Sequence, residues 1–74
     1  MKAIFSGSHR GYRLTASACL AHGGLLAANL VIEKPNRESE TFAALDYFFD
    51  DELALQYATH WGRIWVDSRS TQTS

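Results

Sequence analysis

The 74-residue chain has one cysteine, one proline, no long apolar run and a formal net charge of only −1. The single cysteine, Cys19, cannot form an internal disulfide and is typical of a reducing compartment, so we expect a cytoplasmic protein. The longest apolar stretch, residues 25–32, is far shorter than the ~20 residues that a membrane-spanning helix needs. Polar residues 6–10 interrupt the apolar start of the chain, and we therefore expect neither a signal peptide nor a membrane partner.

A general basic excess is also missing, although the charges are unevenly distributed. Residues 1–32 contain three basic side chains and no acidic one, whereas residues 33–52 contain seven acidic and two basic side chains. Proteins that bind nucleic acid without sequence preference usually carry a strong basic excess. Nucleic acid is therefore not the favoured partner, and only a local basic edge near the N-terminus would support such binding.

The residue patterns that accompany catalysis or metal binding are not found in this sequence. His9, His22, His60 and Cys19 are scattered along the chain and lack the spacing of a metal site. Cys19 lies in an alternating segment, where a small thiol usually contributes to packing. No phosphate-binding loop, dinucleotide fingerprint or nucleophile elbow occurs. We therefore predict a protein that is not an enzyme, with no catalytic residue, no metal site and no cofactor.

Two segments predict paired β-strands. From Tyr12 to Leu20 the side chains follow the period of two that is typical of a half-buried strand, and the next strand, from Leu25 to Glu33, is mostly apolar on both faces. Gly23-Gly24 between them tolerates positive φ angles and favours a hairpin turn. Pro35 then ends the pattern. A third strand over residues 40–47 is expected, but its phase is unclear, so a bulge or a short helix remains an alternative there.

The second half of the chain predicts a helix followed by a strand. Asp50 can cap a helix that begins at Asp51, and the acidic residues after it suit the positive end of the helix dipole. One apolar stripe runs along residues 53–61 and predicts that the helix ends at Trp61, with Gly62 as its C-terminal cap. Residues 63–67 alternate again and predict a final strand.

These elements predict an α+β fold of order β-β-β-α-β, with an antiparallel four-stranded sheet and one helix packed on one face. We expect one domain over residues 1–67. Residues 1–11 are interpreted as a flexible lead-in, with a turn as the alternative over residues 6–11, and residues 68–74 as a disordered polar tail.

Three stretches of sequence carry a resemblance. They are GYRLTASA at the start of a strand, Phe42, Leu45 and Phe48 leading into DDELALQYA, and the closing GRIWVD. Over roughly residues 11–67 the chain resembles small bacterial single-domain proteins of unknown function with β-β-β-α-β order. It is more distantly similar to HicB-like antitoxin domains, but it lacks their proline- and glycine-bearing turn and has no appended DNA-binding helices. The motifs that carry the resemblance are structural, and the resemblance identifies no site residue.

The function predicted from the sequence is a non-enzymatic interaction or regulatory module. The second strand is apolar on both faces while one helix can cover only one of them, so the open sheet face should bind a second copy of the chain or another protein. The predicted interface residues are Leu25, Ala27, Val31, Arg63 and Trp65. The alternative is a module that binds single-stranded nucleic acid, where a strand-borne tryptophan beside an arginine could stack a base. The residues predicted for that alternative are Lys2, His9, Arg10, Arg13, Arg63 and Trp65.

Overall fold

A computed structural model describes residues 2–70 of the chain. One antiparallel sheet contains the strands, in the spatial order β1-β2-β3-β4, with β5 also paired to β3. The strands are β1 (Lys2–His9), β2 (Tyr12–Leu20), β3 (Leu26–Glu33), β4 (Glu40–Phe42) and β5 (Tyr47–Phe48). Within residues 2–70 a single α-helix, α1 (Asp51–Ser70), follows them and packs on one face. The predicted fold class is confirmed: an α+β fold with an antiparallel sheet and one helix.

The first strand, β1, corrects the prediction of a flexible lead-in over residues 1–11. Arg10 and Gly11 have φ angles of 53° and 84°, and two successive positive φ angles define a type I′ turn, whose twist matches that of the strands it joins. This turn joins β1 to β2, and β1 pairs with β2 along the whole length of β1, from His9 opposite Tyr12 to Lys2 opposite Cys19. The stretch Ser6–Ser8 resembles a loop in composition, and its strand conformation comes from this pairing.

The hairpin between β2 and β3 is confirmed. A short 3-10 turn (His22–Gly24) connects the strands, and Gly23 and Gly24 have φ angles of 74° and 75°. The register places Leu14 opposite Ile32, Ala16 opposite Leu30 and Ala18 opposite Ala28. Paired residues share one face of the sheet, and these six are buried below α1.

The predicted third strand is divided into β4 and β5 by a bulged connection. Ala44 has a φ angle of 53°, and its amide donates a 2.7 Å hydrogen bond to Oδ1 of Asn29. The amide of Leu45 donates to the carbonyl of Ala28, whose own amide donates to the carbonyl of Asp46. These bonds hold the connection against β3, so both short strands pair with the same neighbour.

Helix α1 begins where the sequence predicts and ends later. The amide of Glu52 donates to Oδ1 of Asp50 at 3.2 Å, which confirms the N-terminal cap. The helix then continues through Gly62, and the predicted strand over residues 63–67 is wrong. Five alternating residues are too short a window to separate a strand from a helical stripe, and buried Val66 in fact continues the helical spacing from Gly62.

Small residues bring α1 close to the sheet. Ala54 and Ala58 are fully buried, and a Cβ atom added to Gly62 would lie 3.0 Å from Cδ2 of Leu30. Gly62 is therefore a packing residue in the helix interior and does not cap the helix. Residues 68–70 of the predicted polar tail belong to α1, and residues 71–74 lie outside the described part of the chain. Within residues 2–70, no helix has the length and apolar character to cross a membrane.

Candidate interaction surfaces

The face of the sheet opposite α1 is the first candidate surface, and we call it the open face. No helix or strand within residues 2–70 covers it. Its positions alternate with the buried ones and follow from the strand register: Ile4, Ser6, Ser8, Arg13, Thr15, Ser17, Cys19, Ala27, Asn29, Val31, Glu33, Thr41 and Tyr47. Ile4 is 59% exposed and Tyr47 is 46% exposed. Arg13 and Glu33 lie opposite one another in the strand register at one end of the face, and the residues at its centre are uncharged.

The structure separates the five predicted interface residues. Ala27 and Val31 lie on the open face, and Leu25 is a half-buried residue in the connection just before β3. Arg63 and Trp65 belong to α1, on the other side of the sheet, because residues 63–67 are helical. Ala27 and Val31 are therefore the part of the predicted interface that shares one surface.

Trp65 is part of an aromatic cluster at the rim of the core. Its ring lies edge-on to Tyr12, with 6.2 Å between the ring centroids, and 5.9 Å from Phe42. The guanidinium of Arg69 lies 4.3 Å above the centroid of the Trp65 ring, within cation–π distance. These contacts occupy Trp65, so the open base-stacking position expected from the sequence is not observed. The four-residue spacing from Trp61 is the signal that could have identified this helical role.

The basic side chains predicted for nucleic-acid binding are also dispersed. His9 donates from Nε2 to Oδ1 of Asp67 at 2.8 Å, and Nε of Arg10 lies 2.8 Å from the same oxygen. The hydrogen bond from His9 is the largest cause that lowers the pKa of Asp67, and the positive charges nearby add to it. Arg13 lies on the open face, and Arg63 is an exposed residue of α1. Lys2 is the first residue of β1. His9, Arg10, Arg13, Arg63 and Trp65 therefore form no common surface.

A groove beside the edge of the sheet is the second candidate surface. Its volume is about 390 Å³, and it lies between β1 and one side of α1. From β1 it is lined by Phe5, which is 48% exposed, and the helical residues that line it are Glu52, Leu55, Gln56, Thr59, His60 and Arg63. Sequence reasoning missed this surface because it interpreted residues 1–11 as a lead-in. The Arg10-Gly11 pair, whose glycine suits a two-residue hairpin turn, is the signal that could have indicated a strand on its N-terminal side.

A smaller cleft of about 230 Å³ lies at the opposite rim of the helix. Its charged side chains have both signs, with Lys34, Arg37 and Arg69 beside Glu38 and Glu40. The amine of Lys34 also lies 4.7 Å above the ring centroid of Tyr12. The mixed charges suit a solvated rim that shields the aromatic cluster. Within residues 2–70, no three His, Cys, Asp or Glu side chains come together in a way that could hold a metal ion.

Comparisons of the chain with protein-family models, curated proteins and solved structures found no significant match. The similarity to HicB-like antitoxin domains therefore stays a prediction.

Proposed function

We propose that this chain is a small interaction module with no catalytic role, which associates with a second copy of itself through the open face of its sheet. The observation that carries the proposal is the single helix: α1 covers one face, and nothing else within residues 2–70 covers the other. The lone half-buried Cys19 supports a reducing, cytoplasmic setting for this module.

The chemistry of the open face favours a second copy as the occupant. Ile4, Ala27 and Val31 provide aliphatic contacts, and the residues between them are small and uncharged. Two copies can therefore meet without bringing like charges together, and two sheets pack face to face at about 10 Å. Small side chains such as Ser17 and Thr15 allow this approach without steric conflict.

The test is the mass in solution, measured by light scattering after size-exclusion chromatography at micromolar concentration. We expect the unaltered protein to have at least twice the 8.3 kDa of one chain. The variant Val31→Glu places a charge in the centre of the open face and should lower that mass, because burying an unpaired charge in an interface is costly. Ile64→Glu is the matched control, since Ile64 is 56% exposed on α1 and away from the open face.

Two results would contradict the proposal. One is a monomer for the unaltered protein, and the other is an unchanged mass for Val31→Glu. Binding of a single-stranded oligonucleotide that weakens steeply with added salt would instead favour the nucleic-acid alternative.

A further inference from the structure

The outer edge of β1 presents backbone groups that no other strand within residues 2–70 pairs with. β1 is eight residues long and lies at the end of the sheet, with β2 as its neighbour on one side. Its register with β2 is unbroken, so it contains no bulge, and it contains no proline. Natural proteins usually protect a long edge strand with a bulge, a proline or charged side chains, and residues 3–8 of β1 contain none of these. An unprotected edge of this kind is a template for pairing with another strand.

The turn at Arg10-Gly11 shows which residues point outward. A type I′ turn joins the carbonyl of its first residue, His9, to the amide of its fourth, Tyr12. In an antiparallel pair the hydrogen-bonded positions alternate, so residues 3, 5, 7 and 9 bond to β2. Ile4, Ser6 and Ser8 therefore direct their amides and carbonyls away from the sheet.

The side of α1 above this edge is complementary to itself. The groove-lining stripe has Glu52 at one end and Arg63 at the other, with Leu55, Gln56, Thr59 and His60 between them. Its midpoint lies between Tyr57 and Ala58, so a two-fold rotation exchanges the acidic end with the basic end. Glu52 and Arg63 are eleven positions apart, about 16 Å along the helix at 1.5 Å per residue, too far to pair within one chain.

We propose that β1 pairs with β1 of a second copy, antiparallel and centred on Phe5, and joins the two sheets into one. When the pairing is centred on Phe5, Ile4 of one copy lies opposite Ser6 of the second copy. The outward amides and carbonyls of these two residues can then form hydrogen bonds with one another. It also places the two Phe5 side chains at a non-hydrogen-bonded position, where opposing side chains approach most closely. The helices of both copies lie antiparallel on the same face of the joined sheet. Glu52 of each chain then faces Arg63 of the other, across the two grooves that Phe5 lines.

This inference rests on the proposed self-association and assigns it a further contact. The two contacts use different surfaces, since Val31 lies on the open face and Glu52 and Arg63 lie on α1. Either contact can exist without the other, and variants on each surface test them separately.

The first experiment exchanges the charges at the two ends of the stripe. Glu52→Arg alone and Arg63→Glu alone each place like charges opposite one another in a dimer of identical chains. Each variant should weaken the contact by at least about tenfold and therefore lower the mean mass at a concentration near the dissociation constant of the unaltered protein. Mixing the two variants places opposite charges together at both ends, so we expect the mixture to recover the mass of the unaltered protein.

The second experiment removes one outward backbone donor. Ser6→Pro deletes the Ser6 amide, which the alternation directs away from β2, and an edge strand tolerates proline at such a position. We expect the mass to halve while the circular dichroism spectrum stays unchanged. Ser6→Ala keeps the amide and removes the hydroxyl that lies 3.4 Å from the hydroxyl of Thr15, so it should keep the mass.

The outcomes separate the two contacts. The edge contact would be overturned if the charge variants kept the full mass, or if their mixture did not recover it. The open-face contact would then still be tested by Val31→Glu. An effect of the charge variants together with an unchanged Val31→Glu would support the edge contact and contradict the open face. A monomer for the unaltered protein would overturn both.

Discussion

Gly62 lies in the interior of a long helix, where a glycine costs about 1 kcal/mol relative to alanine. The compensation is the close approach of α1 to the sheet. A Cβ atom at this position would meet Cδ2 of Leu30 at 3.0 Å and Cδ1 of Leu14 at 3.3 Å. The missing side chain therefore determines how tightly the helix packs over the middle of β2 and β3.

We predict that Gly62→Val destabilises the protein by about 1–3 kcal/mol, the usual cost of overpacking a close contact. Leu14 and Leu30 are buried and have little room to move. Urea unfolding followed by circular dichroism measures the change. The control Ile64→Val, at an exposed position of the same helix, should stay within about 0.5 kcal/mol of the unaltered protein. A Gly62→Val variant as stable as that control would show that the helix lies further from the sheet.

Asp67 connects the last turns of α1 to the first hairpin through His9 and Arg10. Its pKa lies below the ordinary value of 3.8, chiefly because of the hydrogen bond from His9. A carboxyl group whose folded-state pKa is lowered adds stability above its unfolded pKa. That stability is lost as the pH falls through the folded-state pKa.

We therefore predict that Asp67→Asn lowers the melting temperature at pH 7 and that the difference from the unaltered protein shrinks below pH 3.8. Thermal melts across this range measure the effect. Glu38→Gln, at an exposed position, is a control for simple loss of an acidic charge. A difference between Asp67→Asn and the unaltered protein that stays constant down to the lowest pH would contradict an ionic role for Asp67.

At the scale of single residues, the sequence predicted which side chains are buried better than it predicted which side chains contact one another. The buried positions of β2 and β3 follow directly from their alternation, and Asp50 caps the helix as expected. The partners of Trp65 could not be predicted, because they depend on whether residues 63–67 are helical. Phe5 was missed as a surface residue because its strand forms through pairing and has little alternation of its own.

At the scale of elements, the β1–β2 hairpin depends on its two-residue turn. Gly11 has a φ angle of 84°, which a residue with a Cβ atom adopts only at a cost. Nothing lies within 4 Å of a Cβ atom placed there, so that cost comes from the backbone alone.

We predict that Gly11→Ala destabilises the protein by about 1–2 kcal/mol, the cost of left-handed backbone for an L-residue. Chemical denaturation measures the loss, and Ser8→Ala in the adjoining strand is the control without a change in turn geometry. If Gly11→Ala were as stable as Ser8→Ala, the turn would have to adopt another geometry.

The elements that sequence patterns predicted well are the ones with long, regular periodicity. β2 alternates over nine residues, β3 is mostly apolar over eight, and the start of α1 has a capping residue followed by an apolar stripe. The predicted end of α1 at Trp61 was wrong because a glycine after an apolar stripe has two interpretations. It often caps a helix, but it also allows close packing in the interior of one. Only the three-dimensional position of Leu30 and Leu14 distinguishes these roles.

At the scale of the whole molecule, one helix of 20 residues covers one side of a five-stranded sheet. The open face and the outer edge of β1 remain uncovered by residues 2–70. A contact through the open face stacks two sheets, whereas a contact through the edge of β1 extends one sheet. If the two-fold axes of the contacts intersect, four chains close into two stacked, continuous sheets.

The molar mass of the unaltered protein in solution tests the central claim most directly. Light scattering at micromolar concentration should give at least two chains, and four where both contacts form. A single species of 8.3 kDa that persists as the concentration rises would contradict the account.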